Sequence, residues 1–284
     1  MLAAEVAAAA ARAGGAALMA RRMERLDIEF KDARANLVTV ADRESQRAIA
    51  DIILTAFPGH AVDGEEGTAG NQDSASVWYV DPLDGTTNFT HGLPFFCVSV
   101  ALRSSGASRG SGTPRGSGIP GAGAPVAGAT VAGAVYDPLR DEMFTAARGA
   151  GATLNGAPIG VSDTARLDRA LVVAQAQTVD PAEIRAYALL TERLMSVTGG
   201  VRSLGSPALT LCAIAAGRLE AYCEYAMDAW DILAGQLILA EAGGMLTLFD
   251  GEPHTTAARA DVVASNGYLH AALIDALRGL DQEA

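Results

Sequence analysis

The spacing of apolar residues along the chain predicts a mixture of helices and strands. Apolar side chains at helical spacing predict a helix from about Asp42 to Phe57, which the Pro-Gly pair at 58–59 ends. Apolar runs bounded by turn residues predict strands in VWYV (77–80) and FFCVSVAL (95–102). Similar patterns predict strands at 130–137, 170–176 and 219–225, helices at 181–197, 206–218 and 230–244, and then two short strands and a terminal helix.

The order of these elements bears on the fold class. Strands and helices alternate irregularly, without a repeated βαβ unit, and this predicts layered sheets and helices of mixed type. The helix at 230–244 begins near an acidic residue and ends in two glycines, as helix capping favours.

The N-terminal stretch MLAAEVAAAAARAGGAALMARRMERLD predicts an alanine-rich surface helix. It has no basic region ahead of the apolar run, Glu5 interrupts that run, and the arginines follow it, which disfavours a signal peptide. No segment is long and apolar enough to span a bilayer. The three cysteines (Cys97, Cys212 and Cys223) are widely spaced and form no CxxC pair. These features predict a cytoplasmic protein.

The composition changes abruptly at residues 103–129, RSSGASRGSGTPRGSGIPGAGAPVAGA. Such a stretch cannot bury enough surface to offset the entropy of ordering it, so it predicts a mobile loop. Because it lies between two predicted strands, we interpret it as an insertion at a loop tip, not as a domain boundary. The length of 284 residues suits a single large domain made of two packed halves, roughly 1–170 and 171–284.

The net charge of −12 limits the partners of this chain. An acidic surface disfavours binding to nucleic acid and to anionic membranes. An anionic substrate would need positive charge that the general surface does not supply.

The stretch DPLDGTTNF places two carboxylates, Asp81 and Asp84, where a buried strand ends. The turn at Pro82 can bring both carboxylates and the Leu83 carbonyl to one side, and three oxygen ligands suit a hard cation such as Mg²⁺. The backbone N–H groups from Gly85 onward could bind phosphate at the same spot. The alternative is an Asp-Pro turn followed by an Asp helix cap.

Three further acidic residues have two interpretations each. Glu65, in DGEEG (63–67), lies either in a solvated turn or beside the Asp81 strand. Asp231 either caps a helix or reaches the same cation from a distant segment. Asp42 is either a first-turn acid or a functional carboxylate. The four histidines lack HxH and HExxH spacing, and no GxSxG elbow or P-loop is present.

Taken together, these motifs resemble the inositol monophosphatase family of Mg²⁺-dependent phosphatases. The resemblance rests on GEEG (64–67), WYVDPLDGTTNF (78–89) and AWDILAGQLILAEAGG (229–244), with support from 36–42, 135–156 and 201–224. It runs through nearly the whole chain in order. The Gly/Ser/Pro-rich insertion departs from the family pattern but touches no motif. The resemblance implies an α+β fold, a layered αβαβα sandwich of the inositol monophosphatase and fructose-1,6-bisphosphatase type, usually a homodimer and sensitive to lithium.

The resemblance also implies a set of metal ligands. Glu65, Asp81 and the Leu83 carbonyl would hold one Mg²⁺ ion. Asp81, Asp84 and Asp231 would hold a second ion, and a third would share Glu65.

The remaining roles concern the attacking water and the substrate. Gly85 and Thr86 would hold the phosphate through their amides, while Asp42, Thr86 and the metal ligand Glu65 would serve the attacking water. Gly205, Ser206, Glu224 and Asp231 would contact the substrate. Pro207 stands where the family often has a small residue such as alanine.

The chemistry that follows is phosphomonoester hydrolysis. Divalent ions turn an acid-lined pocket into a phosphate site, and a metal-bound water would attack in line without a phosphoenzyme. The preferred substrate is inositol 1-phosphate, because DGTTNF differs from branches that act on nucleotide bisphosphates. Histidinol phosphate and fructose 1,6-bisphosphate remain alternatives within the family. A non-catalytic regulatory module is the alternative of another class.

Overall fold

The computed structural model describes residues 2–22, 28–30, 37–104, 128–176 and 178–278, with only the backbone described for 28–30 and 37–39. The helices in these residues are α1 (Ala3–Arg21), α2 (Val40–Ala56), α3 (Thr86–Thr90), α4 (Pro181–Val197), α5 (Pro207–Ala215), α6 (Ala229–Glu241) and α7 (His270–Leu277). The strands are β1 (Ile28–Phe30), β2 (Leu37–Thr39), β3 (Ala61–Gly64), β4 (Gly67–Gly70), β5 (Ser76–Asp84), β6 (Cys97–Ser104), β7 (Ala129–Asp137), β8 (Glu142–Ala147), β9 (Ala152–Leu154), β10 (Ala157–Pro158), β11 (Leu171–Gln175), β12 (Gly200–Arg202), β13 (Ala221–Met227), β14 (Met245–Leu248) and β15 (Ala260–Ser265).

The strands form one small ribbon and two larger sheets. β1 and β2 pair with each other. An eight-stranded sheet has the spatial order β10-β9-β8-β7-β6-β5-β3-β4, and it is antiparallel except where β3 runs parallel to β5. A five-stranded sheet has the order β12-β11-β13-β15-β14, in which β11 runs parallel to both of its neighbours.

The helices and the two sheets alternate in five layers. α1 and α2 pack on the outer face of the eight-stranded sheet. α5 and α6 fill the space between the two sheets. α4 and α7 cover the far face of the five-stranded sheet. The predicted layered αβαβα sandwich is therefore confirmed.

The layers follow from the two-residue period of the strands, which sends successive side chains to opposite faces. In β6, Val98 and Val100 pack toward α1, whereas Cys97 and Ala101 pack toward α5 and α6. The five-stranded sheet behaves in the same way, since each of its faces contributes to a different apolar cluster. The central strands of both sheets are thus buried on two sides, as a five-layer arrangement requires.

The central helix α6 is apolar around most of its circumference because it lies between two sheets and most of its residues are buried. It ends at Glu241, where the N–H groups of Gly243 and Gly244 bond back to the carbonyls of Ala240 and Leu239 at 3.1 and 2.9 Å. Gly243 has a φ of 95°, a conformation that favours glycine. The two predicted terminal glycines thus do end the helix.

Most predicted elements lie within a few residues of the observed ones. The predicted helix at 206–218 ends earlier, at Ala215, because Gly217 adopts a φ of 69° and the chain turns there. The sequence analysis did not predict the short strands β1, β2, β3, β4, β8, β9, β10 and β12. These are too short to have a clear apolar period.

The alanine-rich N-terminal segment forms α1, an outer-layer helix with one buried face. Its small residues allow a close approach: a Cβ on Gly14 would come within 2.8 Å of the Ile49 side chain on α2. Alanine and glycine here serve packing as well as helix formation. In the described part of the chain, no helix combines the length and the apolarity needed to cross a membrane.

The Gly/Ser/Pro-rich insertion falls mostly on 105–127, outside the described residues. Its two flanks are the neighbouring antiparallel strands β6 and β7, and Ser104 pairs with Ala129 at their ends. The stretch therefore joins two adjacent strands of one sheet.

Candidate active site

A bulge in β5 places Asp81 and Asp84 on the same face of the sheet. Residues three apart on a regular strand point to opposite faces. In the structure, Asp81 pairs with Ser99 and Asp84 pairs with Cys97, so three steps along β5 match two steps along β6. Pro82 lies within the bulge, where the missing N–H costs no ladder bond. The bulge at DPLD therefore directs both carboxylates to the same face of the sheet.

The parallel pairing of β3 with β5 brings Glu65 to the same point. Gly64 is the register partner of Val80, so the next residue along each strand sets Glu65 beside Asp81. The N–H of Glu65 donates to the carbonyl of Val80 at 3.1 Å and fixes this arrangement. DGEEG is thus a β3–β4 turn that presents Glu65 next to the β5 carboxylates.

Asp231 arrives from the first turn of α6. Its Oδ2 accepts a hydrogen bond from the N–H of Asp228 at 2.8 Å, so it does act at the helix start. Ser99 on β6 donates to the carbonyl of Trp230 at 3.0 Å and ties this turn to the eight-stranded sheet. Asp231 thus acts at the helix start, and it also lines the cleft described below.

A fifth acid, Asp42 of α2, lies near the start of α3. Thr86 Oγ1 lies 3.4 Å from Asp42 Oδ1 and 3.1 Å from the carbonyl oxygen of Leu83. Asp42 belongs to the first turn of α2 and is buried. The hydroxyl has a single proton to donate, so its oxygen keeps acceptor capacity for another group.

Four of these acids line one cleft of about 430 Å³ at the ends of strands from both sheets, whereas Asp42 lies outside its wall. Its wall includes the predicted metal ligands, the start of α3, the first residue of α5 and an acid of β13: Glu65, Asp81, Leu83, Asp84, Asp231, Gly85, Thr86, Pro207 and Glu224. Gly205 and Ser206, predicted as substrate contacts, are not part of this wall.

Burial and mutual repulsion dominate the electrostatics of the cleft. Burial, and then the charges of Glu65, Asp84 and Asp231, raise the pKa of Asp81 well above its ordinary value. Burial followed by the charge of Asp84 raises the pKa of Asp231 in the same way. Burial also raises the pKa of Asp84 to about 7, although hydrogen bonds from Ser206 and Ala208 oppose this shift. A cluster of this kind favours protons or cations.

The donor set fits a hard divalent cation. The ligands on offer are carboxylate and carbonyl oxygens, which suit Mg²⁺, and no histidine lines the cleft among the described residues. Within the same residues, no three acidic, histidine or cysteine side chains already stand in the geometry of a closed metal site. The carboxylates therefore share a cleft without being assembled around one point.

Glu224, on β13, is a buried acid at the other side of the cleft. It accepts hydrogen bonds from Gln175 at 2.8 Å and from Tyr222. Burial raises its pKa to about 7, against these two hydrogen bonds. Gln175 also accepts from the N–H of Gly205 at 2.8 Å, so one amide side chain links Glu224 to the loop ahead of α5.

Ser206 lies behind Asp84 instead of in the cleft. Its hydroxyl donates to Asp84 Oδ2 at 2.7 Å, and the N–H of Ala208 donates to the same oxygen at 2.8 Å. Ser206 is fully buried. This geometry makes Ser206 a positioning residue for Asp84.

We expect Ser206→Ala to raise the Mg²⁺ concentration needed for half-maximal activity by about fivefold, the value of one hydrogen bond of about 1 kcal/mol. The substrate KM at saturating Mg²⁺ should stay unchanged, and Ser206→Thr should restore the Mg²⁺ requirement. Ser196→Ala, on the exposed face of α4, is the control. Steady-state rates and Mg²⁺ titrations of the thermal midpoint measure both effects. A raised KM with an unchanged Mg²⁺ requirement would instead indicate substrate contact.

Three residues of the site were missed by the sequence analysis. Ser45 on α2 donates to the carbonyl of Pro82 at 2.8 Å and supports the bulge. Ser99 holds the start of α6, and Gln175 holds the Glu224 side chain, as described above. Only strand alternation hinted at Ser99, since it lies two residues from Cys97 on the face opposite Val98 and Val100. The other two gave no local signal.

Five alternating layers with a carboxylate-lined cleft at the sheet ends define a class of metal-dependent phosphatases. The chain belongs to the inositol monophosphatase family, whose sequence profile matches residues 1–109 and 123–282. The gap in the match lies inside the Gly/Ser/Pro-rich insertion.

Individual relatives support this assignment. The chain is 37% identical to an inositol-1-monophosphatase of Synechocystis over 98% of its length and 89% of the relative's. It is 35% identical to Nus factor SuhB of Pseudomonas aeruginosa, over 96% of this chain and 94% of that protein. It is also 35% identical to a fructose-1,6-bisphosphatase/inositol-1-monophosphatase of Aquifex aeolicus, over 94% and 91%.

Solved structures give the same result for the fold. The extragenic suppressor protein SuhB of Bartonella henselae superposes with a TM-score of 0.84 at 32% sequence identity, covering 97% of this chain and 98% of that one. The family and the fold are thus shown, while the names of the relatives differ in the activity they state.

Proposed function

We propose that this protein hydrolyses inositol 1-phosphate to inositol and inorganic phosphate with the help of Mg²⁺. The observation that carries the proposal is the meeting of Glu65, Asp81, Asp84 and Asp231 in one cleft, where burial and the neighbouring carboxylates raise the pKa values of Asp81 and Asp231. Acids packed in this way are costly to ionise unless a cation joins them. A phosphate ester can enter such a cleft once cations reverse its field.

Two or three Mg²⁺ ions would occupy the cleft. Glu65, Asp81 and the Leu83 carbonyl would hold one, Asp81, Asp84 and Asp231 a second, and Glu65 would share a third. When bound, Mg²⁺ would neutralise the acids, supply a water of lowered pKa and stabilise charge on the phosphate and leaving oxygens.

The protein's own groups would orient the attacking water and the ester. Thr86 donates its proton toward Asp42 or the Leu83 carbonyl, so its oxygen can accept a hydrogen bond from a water and direct that water's lone pair. The backbone amides of Gly85 and Thr86 would bind phosphate oxygens. In-line attack by this water needs no covalent phosphoenzyme.

Glu224 is the group best suited to the inositol ring. With a pKa of about 7, it can either accept a hydrogen bond from a ring hydroxyl or donate one. Gln175 and Tyr222 hold the carboxyl group in place, which favours a defined orientation for the ring. We extend the proposal to inhibition by Li⁺ and to a homodimer, on the strength of the family resemblance.

The test is phosphate release from a substrate panel at saturating Mg²⁺. We expect inositol 1-phosphate to be hydrolysed with a higher kcat/KM than histidinol phosphate, and EDTA to abolish activity. Fructose 1,6-bisphosphate belongs in the same panel. Absence of phosphate release from every member would refute the phosphatase proposal, and a covalently phosphorylated residue in trapped turnover samples would refute direct attack by water.

A further inference from the structure

The cleft contains one basic side chain among the described residues that line it, Arg259. Seven carboxylates line the same cleft: Glu65, Asp81, Asp84, Glu183, Glu224, Asp228 and Asp231. The four acids assigned to Mg²⁺ need no arginine when the ions are bound. A cation in the wall of this acidic cleft therefore needs an explanation of its own.

The strand register fixes where Arg259 stands. Met227 on β13 pairs with Ala260 on β15, so the adjacent positions bring Arg259 beside Asp228. This is the five-stranded-sheet side of the cleft. The residues proposed to bind the scissile phosphate, Gly85 and Thr86, line the cleft from the start of α3, where β5 of the eight-stranded sheet ends.

The backbone on both sides of Arg259 is anchored. Before it, the carbonyl of His254 accepts from Gln236 on α6 at 2.8 Å, and the carbonyl of Thr255 accepts from Arg103 at 3.0 Å. After it, Asp261 accepts from the N–H of Ala226 at 2.7 Å. These bonds hold the segment that contains Arg259 against α6, β6 and β13.

The donors of Arg259 are little used by the protein itself. Its nearest acid, Asp228, lies 3.9 Å away, too far for a hydrogen bond, and the Arg259 side chain is 60% exposed. Ion pairs between exposed groups contribute little to stability. In the described part of the chain no hydrogen bond from the guanidinium is found, so its fork of N–H donors can serve a ligand.

We propose that Arg259 forms a second anion site in the cleft, apart from the scissile phosphate, and that it favours phosphorylated sugars and polyols with a second phosphate group. This inference rests on the proposed phosphatase function and extends it. A planar guanidinium matches phosphate in a bidentate way, and hydrogen bonds between charged groups are the strong ones. A neutral hydroxyl at the same place would gain less from a cation.

The matched substrates are fructose 1,6-bisphosphate and fructose 1-phosphate, which differ only in the 6-phosphate. We expect the wild-type kcat/KM, measured at saturating Mg²⁺, to be about tenfold higher for the bisphosphate, the value of one charge-assisted hydrogen bond. Arg259→Gln should remove this preference, chiefly through KM, and leave fructose 1-phosphate within about twofold of wild type. Arg259→Lys should retain part of the preference.

The control variant is Arg278→Gln, which removes another exposed, ion-paired arginine, next to α7 and outside the cleft. It should leave both substrates unaffected. Equal losses on both substrates in Arg259→Gln, or no wild-type preference for the bisphosphate, would overturn the anion site while phosphate release still supports the phosphatase. If the wild-type protein releases phosphate from no ester at all, the proposed function itself fails, and the anion site with it.

Discussion

Asp84→Asn is expected to lower kcat by on the order of 10³-fold at saturating Mg²⁺, since a bound metal contributes several kcal/mol to catalysis. The asparagine carbonyl can still accept the hydrogen bonds that Ser206 and Ala208 give to Asp84. The fold should therefore persist while the second metal ion is weakened. Circular dichroism and steady-state rates separate these two effects. Asp231→Asn should behave alike.

Without metal, Asp84→Asn should be more stable than wild type, and this gain in stability should depend on pH. The folded state raises the pKa of Asp84 from 3.8 to about 7, so it binds this proton more tightly than the unfolded chain. That contribution to stability is complete below the unfolded pKa and is lost as the pH rises through the folded one. Asparagine has no such loss. In EDTA, its thermal midpoint should therefore rise relative to wild type between about pH 4 and about pH 7, the unfolded and folded pKa values of Asp84, and the difference should stay constant above that range.

Two comparisons make this result specific. Glu183→Gln removes a carboxylate from the same cleft but not from the proposed metal ligands, and it should retain wild-type turnover. Mg²⁺ should raise the thermal midpoint of wild type more than that of Asp84→Asn. Parent-level turnover in both Asp84→Asn and Asp231→Asn would show that the ligand assignment is wrong.

Gly85→Ala is the second change with a large expected effect, a loss of about 3 kcal/mol in the free energy of unfolding together with most of the activity. Gly85 has a φ of 98°, and a Cβ there would lie 3.0 Å from the carbonyl oxygen of Phe95 and 3.1 Å from that of Gly205. Backbone atoms cannot move aside as a flexible side chain can. The strain would displace Asp84 and Thr86, the neighbours on which the site depends.

Gly92→Ala is the matched control because it changes the glycine near the other end of α3. Gly92 has a φ of 73°, yet nothing lies within 4 Å of its would-be Cβ. Only the backbone conformation should cost free energy there, about 1 kcal/mol, and activity should be retained. Urea denaturation and phosphate release measure both variants. Equal destabilisation by the two changes would mean that the contacts around Gly85 are not restrictive.

Much of the fold and of the candidate site could be predicted from local sequence. The helix from Pro181 to Val197 was predicted with its observed bounds, and the strand ahead of Asp81 was found from its apolar run. Such elements carry their own period and end signals. The two acids of DPLD could also be recognised from the sequence, since one precedes a proline and the other precedes a glycine at the end of a predicted strand.

Other parts could not be predicted because they depend on pairing between distant segments. Glu65 lies beside Asp81 only because β3 pairs in parallel with β5, and this register has no signature within DGEEG. Ser206 fits the family pattern of a substrate contact, but its hydroxyl donates to Asp84. The support from Ser45 and Gln175 likewise depends on which distant groups the fold brings within reach.

The sequence by itself determined most of the longer elements, the layered class of fold and the acids with the chemistry to bind a hard cation, because these follow from residue type and short-range spacing. Tertiary structure decided which acids share a cleft, which side chains hold them and where Arg259 stands. The physical reason is that strand register and helix packing set distances between residues far apart in the chain, and the interactions of charges depend on those distances.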